Sequence, residues 1–175
     1  EGVSYTHPAS FILVGRMNPE EGELRPQLID RFGLVTDVTG EADIDLRSEV
    51  IRRRLEFEAD PVRFGEKYRP QEEELGARIT EAKKRLGQVE IPDRMLRLAA
   101  GVCVKLQVEG HRADITLIKT AVTNAAFMGR TQVTEEDILT AARLALPHRL
   151  RRQPFESGEN SLEAVAEAVR DYAGI

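Results

Sequence analysis

The stretch FILVGRMNPEEGELRPQLIDRFGL, Phe11 to Leu34, decides how the chain is read. Its first residues, Phe11-Ile-Leu-Val-Gly15, form a continuous apolar run behind Pro8. That is the pattern of a strand buried on both faces of a parallel sheet, and such strands carry functional groups at their C-terminal ends. The polar residue delivered just beyond this run is Asn18. Pro19 biases Asn18 away from helical angles and Gly22 frees the backbone, so residues 18–22 read as a loop. Arg25 to Asp30 then reads as a short helix with Pro26 in its first turn, where a missing amide hydrogen costs little. Leu34 to Val38 reads as a second short strand, closed by Gly40.

From Asp43 onward the apolar period becomes helical. Val50, Ile51 and Leu55 share one face, while Arg47 and Arg52-Arg53-Arg54 occupy the other. The segment from Asp60 to Pro70, rich in Pro, Gly and charge, reads as a break. Gln71 to Leu86 follows as a long charged helix with Leu75, Ile79, Ala82 and Leu86 as a narrow seam, ended by Gly87. Three compact helices come next. The first starts at Pro92 and buries Met95, Leu96, Ala99, Val102, Cys103 and Leu106. The second takes Asp114 as its cap and presents Ile118, Ala121, Val122 and Ala125, a face of small residues that permits close helix contact. The third opens on a capping box of Thr134 and Asp137 and buries Ile138, Leu139, Ala142 and Leu146. Pro147 to Gly158 reads as a hinge and Leu162 to Tyr172 as a last short helix.

The fold class expected is therefore α/β plus all-α. Residues 1–40 supply two strands and a short helix, residues 41–90 connecting helices, and residues 91–175 a helical bundle. A strand buried on both faces needs neighbours on both edges, so the opening segment is expected to belong to a larger α/β domain.

Composition narrows the function classes. Charged residues make up 31% and apolar residues 41% of the 175, with a formal charge of -5. This is the balance of a soluble globular protein, and the acidic total argues against nucleic-acid binding by bulk electrostatics. Cys103 is the only cysteine, so no internal disulfide can form and a reducing compartment is expected. Cys103 lies on an apolar stripe and reads as core. No apolar run reaches the length of a membrane span, and EGVSYTHPAS lacks the basic start and apolar centre of a signal peptide. His7, His111 and His148 are far apart and have no acids or cysteines at ligand spacing, so no metal site is expected.

Three side chains suit work on a phosphate. The Asn18 amide donates and accepts at once and can orient an attacking water, although an asparagine before proline serves equally as a turn residue. Arg31 follows a helix and precedes Phe32, whose ring can anchor the backbone while the guanidinium points toward a neighbouring subunit. A protruding arginine of that kind stabilises charge on a transferred phosphoryl group; the competing reading of Asp30-Arg31 is a surface ion pair. Arg112 lies near the start of a helix, where the dipole favours anions, and otherwise reads as a solvated loop residue. Arg52-Arg53-Arg54 and the group Arg149, Arg151 and Arg152 read as solvated or subunit-facing.

Gly15-Arg-Met-Asn-Pro-Glu-Glu-Gly-Glu-Leu-Arg-Pro-Gln-Leu-Ile-Asp-Arg-Phe-Gly33 resembles the signature of the AAA+ ATPase subunit of magnesium chelatases. The resemblance continues through Val50-Ile-Arg-Arg-Arg54, Arg112, Thr116-Leu117 and His148-Arg-Leu-Arg-Arg152. It implies the C-terminal part of an AAA+ P-loop ATPase core followed by a helical lid. It also implies Asn18 as sensor 1, Arg31 as an arginine finger acting on a neighbour's nucleotide, and Arg112 as sensor 2. ATP and Mg²⁺ would be the cofactors. The partners implied are a homo-oligomeric ring, a second AAA+ chelatase subunit and a large porphyrin-binding subunit, in the cytoplasm or a plastid stroma. The driven reaction would be Mg²⁺ insertion into protoporphyrin IX. The alternatives are cobalt insertion in corrin synthesis, MoxR-type remodelling, and a non-catalytic helical interaction module. The sequence contains no Gly-x-x-x-x-Gly-Lys-Ser/Thr loop and no buried strand ending in Asp-Glu. The chain is thus expected to be the C-terminal half of such a subunit, unable by itself to bind ATP tightly or to hydrolyse it.

Overall fold

A computed structural model of the protein describes residues 7–18, 22, 24–150 and 158–173. Those residues are predominantly helical, and the packed core lies entirely in their C-terminal part. A four-residue helix, α1 (Pro26–Ile29), comes first, followed by the long pair α2 (Ile44–Ala59) and α3 (Pro61–Arg85). The bundle follows: α4 (Asp93–Lys105), α5 (Arg112–Phe127), α6 (Glu135–Ala145), the short α7 (Pro147–Leu150) and α8 (Gly158–Ala173).

Local capping explains the α2–α3 pair. The Asp43 carboxylate accepts from the amides of Asp45 and Leu46, each at 2.9 Å, and so satisfies donors that the first turn of α2 leaves free. Asp60 accepts from the Arg63 amide at 3.0 Å, and Pro61 takes the first helical position of α3. The break read from Asp60 to Pro70 is therefore corrected: α3 runs unbroken through Pro70. Proline inside a helix removes the bond to the carbonyl four residues back, here that of Glu66. Glu66 is exposed, so water can take up the acceptor. The same stretch is held by rings. Phe64 lies 5.7 Å from Phe57 across the α2–α3 turn and 4.7 Å from Tyr68, and Lys67 pairs with Glu56 at 2.7 Å. Neither helix has a buried residue.

The bundle is where apolar burial accumulates. Leu98 and Val102 of α4, Leu117 and Ala121 of α5, Ile138 and Ala142 of α6, Leu146, and Val165 and Val169 of α8 form one continuous core. Each large aliphatic side chain buried there contributes roughly 1.5–3 kcal/mol. The small residues Ala113, Ala121, Ala125 and Ala126 let α5 approach its neighbours closely. Asp137 is fully buried at the start of α6. It accepts from the Thr134 amide at 2.9 Å, the Thr134 hydroxyl at 2.8 Å and the Asn124 amide at 2.7 Å, and it pairs with Arg130. This is the capping box read from the sequence, extended by two donors.

The start of α5 differs from expectation. The helix begins at Arg112 with His111 as its flanking residue, and Asp114 sits in the first turn. Gly110, at φ +72°, reverses the chain earlier than the sequence suggested. The segment read as a hinge begins instead as α7, with Pro147 and His148 buried; residues 151–157 lie outside the described residues.

Neither of the two expected strands is present among the described residues. Among the described residues the only bridge of sheet type is an isolated parallel one between Glu90 and Gln132. Phe11 to Val14 lies open to solvent, with Ile12 92% exposed, and Val38 is 90% exposed. A strand exists through its neighbour's backbone, and among the described residues neither run pairs with another strand. The Val35 amide turns instead to the Leu144 carbonyl at the end of α6, at 3.0 Å.

Candidate functional site at the meeting of α1 with the bundle

α1 is closed by local bonds alone. The amides of Leu28 and Ile29 donate to the Arg25 carbonyl at 2.8 and 3.1 Å, and those of Arg31 and Phe32 donate to Leu28 and Ile29 at 3.0 Å each. Beyond it, Phe32 is half-buried. A Cβ added at Gly15 would lie 3.3 Å from the tip of the Phe32 ring, so the end of the apolar run rests on this aromatic. A Cβ at Gly33 would meet the Thr116 methyl at 3.5 Å, which sets the same turn against α5.

Charge then ties the turn to the bundle. Arg112, the first residue of α5, donates from Nη1 to Asp30 Oδ2 at 2.8 Å. Arg149 of α7 approaches the other oxygen, its Nε 3.6 Å from Asp30 Oδ1. The Arg149 side chain is 5% exposed. Its Nη2 donates to the Phe32 carbonyl at 3.1 Å and its Nη1 to the Gly33 carbonyl at 3.3 Å, and it also reaches the Ala145 carbonyl at the end of α6. Burial is the main cause of a lowered Arg149 pKa, with Asp30 opposing the shift and Arg112 adding to it.

The three residues singled out in the sequence are therefore not gathered at one point. Arg112 sits beside Asp30, the residue next to Arg31. Arg31 is exposed and, with Arg25, Gln27 and Leu28, lines a shallow hollow of about 330 Å³. Asn18 is exposed, and among the described residues it bonds neither arginine. Arg149 is the residue that sequence reading missed, since it was grouped with solvated basic residues. The available signal was its place three residues after the buried Leu146, where a basic side chain can reach the carbonyls of a helix end. Arg151 and Arg152 lie outside the described residues.

Other groups offer less chemistry. The Cys103 thiol is pushed up to about 12, first by burial and then by nearby Asp114, and so stays protonated and unreactive at neutral pH. Among the described residues no three His, Cys, Asp or Glu side chains come together to hold a metal ion, and no helix is long and apolar enough to cross a membrane.

The AAA lid domain family matches residues 96–169, the bundle from α4 to α8. The chain is 47% identical over 172 residues to the magnesium-chelatase subunit ChlI homolog of Methanocaldococcus jannaschii, covering 98% of this chain and 47% of that protein. It is 44% identical over 171 residues to the magnesium-chelatase 38 kDa subunit of Rhodobacter capsulatus, covering 98% and 49%. It is 44% identical over 165 residues to the chloroplastic magnesium-chelatase subunit ChlI of Oryza sativa subsp. japonica, covering 94% and 40%. The chain thus spans about half the length of the curated relatives it matches.

Proposed function

We propose, from the premise that this chain belongs to the family of magnesium-chelatase ChlI and 38 kDa subunits, that it forms the sensor, finger and lid part of an ATP-driven motor for Mg²⁺ insertion into protoporphyrin IX. Residues 1–40 are the end of the α/β core, residues 41–90 the connecting helices and residues 91–175 the lid. The exposed apolar runs at Phe11–Val14 and Leu34–Val38 support a sheet completed by other residues of the full-length protein. There the two runs would become strands.

The observation that carries the reading is the Asp30–Arg112 pair, which links the turn bearing Arg31 to the first residue of the lid helix α5. Asp30 and Arg112 are both about half-exposed, so a phosphate can replace the carboxylate without opening the core. The N-terminus of a sixteen-residue helix adds its own preference for anions. These donors fit the phosphate side of a nucleotide site. The phosphate loop and the metal-holding acids would come from the rest of the subunit, so this chain alone is inactive.

When bound, the nucleotide supplies the phosphoryl group whose hydrolysis drives metal insertion. Asn18 orients the attacking water through its amide. Arg112 exchanges Asp30 for phosphate oxygens and so reports nucleotide state to the lid. Arg31 places its charge on the nucleotide of the adjacent subunit in a homo-oligomeric ring. A second AAA+ subunit and a large porphyrin-binding subunit complete the enzyme, in the cytoplasm or a plastid stroma.

The test is reconstitution of the full-length protein with those two subunits, ATP, Mg²⁺ and protoporphyrin IX. Magnesium porphyrin fluorescence that requires ATP hydrolysis is expected. Hydrolysis with metal insertion only when Co²⁺ and a corrin precursor are supplied would contradict the magnesium assignment. Arg112→Ala is expected to weaken ATP affinity and turnover by about 10-fold or more, the usual loss when a hydrogen bond to a charged group is removed. Unchanged affinity and turnover would remove Arg112 from the site.

A further inference from the structure

The role of Arg31 as a finger leaves open what aims it. α1 has only four residues, and among the described side chains neither it nor the turn after it contributes a fully buried one. An element with so little apolar contact is oriented by its polar ties. Arg112 bonds Asp30, and Arg149 bonds the two carbonyls that follow Arg31. Arg31 lies between Asp30, whose carboxylate faces the Arg149 Nε, and Phe32, whose carbonyl accepts from Nη2. The next carbonyl, that of Gly33, also accepts from Arg149, as does Ala145 of α6. One planar guanidinium thus grips the backbone just after Arg31, faces the Asp30 carboxylate just before it, and fastens the turn to the end of α6 and to α7.

We infer that Arg149 is a positioning residue for the arginine finger, holding the Asp30–Gly33 turn on the lid so that Arg31 meets the neighbouring subunit's nucleotide at a fixed angle. The inference rests on the reading of Arg31 as a finger acting in trans. Arg112 donates to one oxygen of the Asp30 carboxylate, and the Arg149 Nε stands 3.6 Å from the other without a hydrogen bond. When Arg112 leaves Asp30 for a phosphate, Arg149 still holds the turn through the Phe32 and Gly33 carbonyls, and its charge remains near the half-exposed Asp30. A lysine cannot replace it. An ammonium on a flexible stem has no fork with which to span three carbonyls at once.

The experiment uses full-length protein carrying Arg149→Lys, Arg149→Met or Arg31→Ala, each alone and each mixed with a phosphate-loop variant whose own Arg31 and Arg149 are intact. The methionine fills the buried volume without donors, so packing is retained if lysine proves unstable. For the folded Arg149 variant, kcat is expected to fall about 10²-fold, the scale of a misplaced catalytic group, while KM for ATP stays within about twofold. In the mixture, hydrolysis returns, because the Arg149 variant's nucleotide is served by the partner's correctly held finger. Rescue of Arg31→Ala without rescue of the Arg149 variants would overturn this inference and leave the finger intact. Failure of Arg31→Ala to be rescued would overturn both. If neither Arg149 variant keeps its helical circular dichroism and oligomeric size, Arg149 is a folding residue and the inference falls.

Discussion

Arg31→Ala in the full-length protein is expected to lower ATP turnover by about 10³-fold or more while leaving ATP affinity within about twofold, because a finger of the kind proposed acts on charge that develops only in the transition state. The structure supports a large effect through a contrast between adjacent residues. Asp30 is engaged by Arg112 and approached by Arg149. Arg31, one position on, is exposed and, among the described residues, pairs with no carboxylate. Its backbone is nevertheless held, by its own turn bond to Leu28 and by the anchoring of Phe32 against Gly15. A fixed backbone carrying an uncommitted guanidinium is what electrostatic catalysis across an interface requires. The check is steady-state hydrolysis beside equilibrium nucleotide binding. A fall in affinity that accounts for the whole loss would instead make Arg31 an ordinary ground-state ligand.

Asp137→Ala produces the largest loss of stability, about 3 kcal/mol, from removing the acceptor of a capping box and leaving buried donors unpaired. Asp137 has no exposed surface, whereas Arg130 keeps a third of its side chain in solvent, so water relieves part of the stranded charge. A chain of this size should lose about 10 °C in thermal midpoint. Thr134→Ala should cost about 1 kcal/mol, because it removes the cap hydroxyl but leaves the carboxylate in place. Thermal unfolding of both variants checks the order. Equal losses would show that the hydroxyl, not the carboxylate, organises the start of α6.

The bundle was legible because its helices follow the apolar period and carry their own terminal signals. Met95, Ala99, Val102 and Cys103 on α4, and Ile138 and Ala142 on α6, are buried as the spacing required. Thr134 and Asp137 announced the start of α6 four residues before its apolar stripe began. Pro70 misled because a proline is a local cost that a helix can carry when its freed acceptor faces water and nearby rings hold the turn. The two strands were read from short runs at Phe11–Gly15 and Leu34–Val38, and among the described residues neither run has a strand to pair with. Arg149 was missed for another reason. The local signal, its reach back to the Ala145 carbonyl at the end of α6, marks only part of its role; the Phe32 and Gly33 carbonyls that draw it inward come from a distant segment.

The central claim is that this chain's Arg31 completes the nucleotide site of the next subunit while its Arg112 serves its own. Mixing full-length Arg31→Ala protein with a phosphate-loop variant and measuring ATP hydrolysis across the mixing ratio tests it most directly. Each parent is inactive, and the account predicts activity that appears in the mixture and peaks at intermediate ratios. A flat line at the level of the parents, with mixed assemblies confirmed by mass, would contradict it.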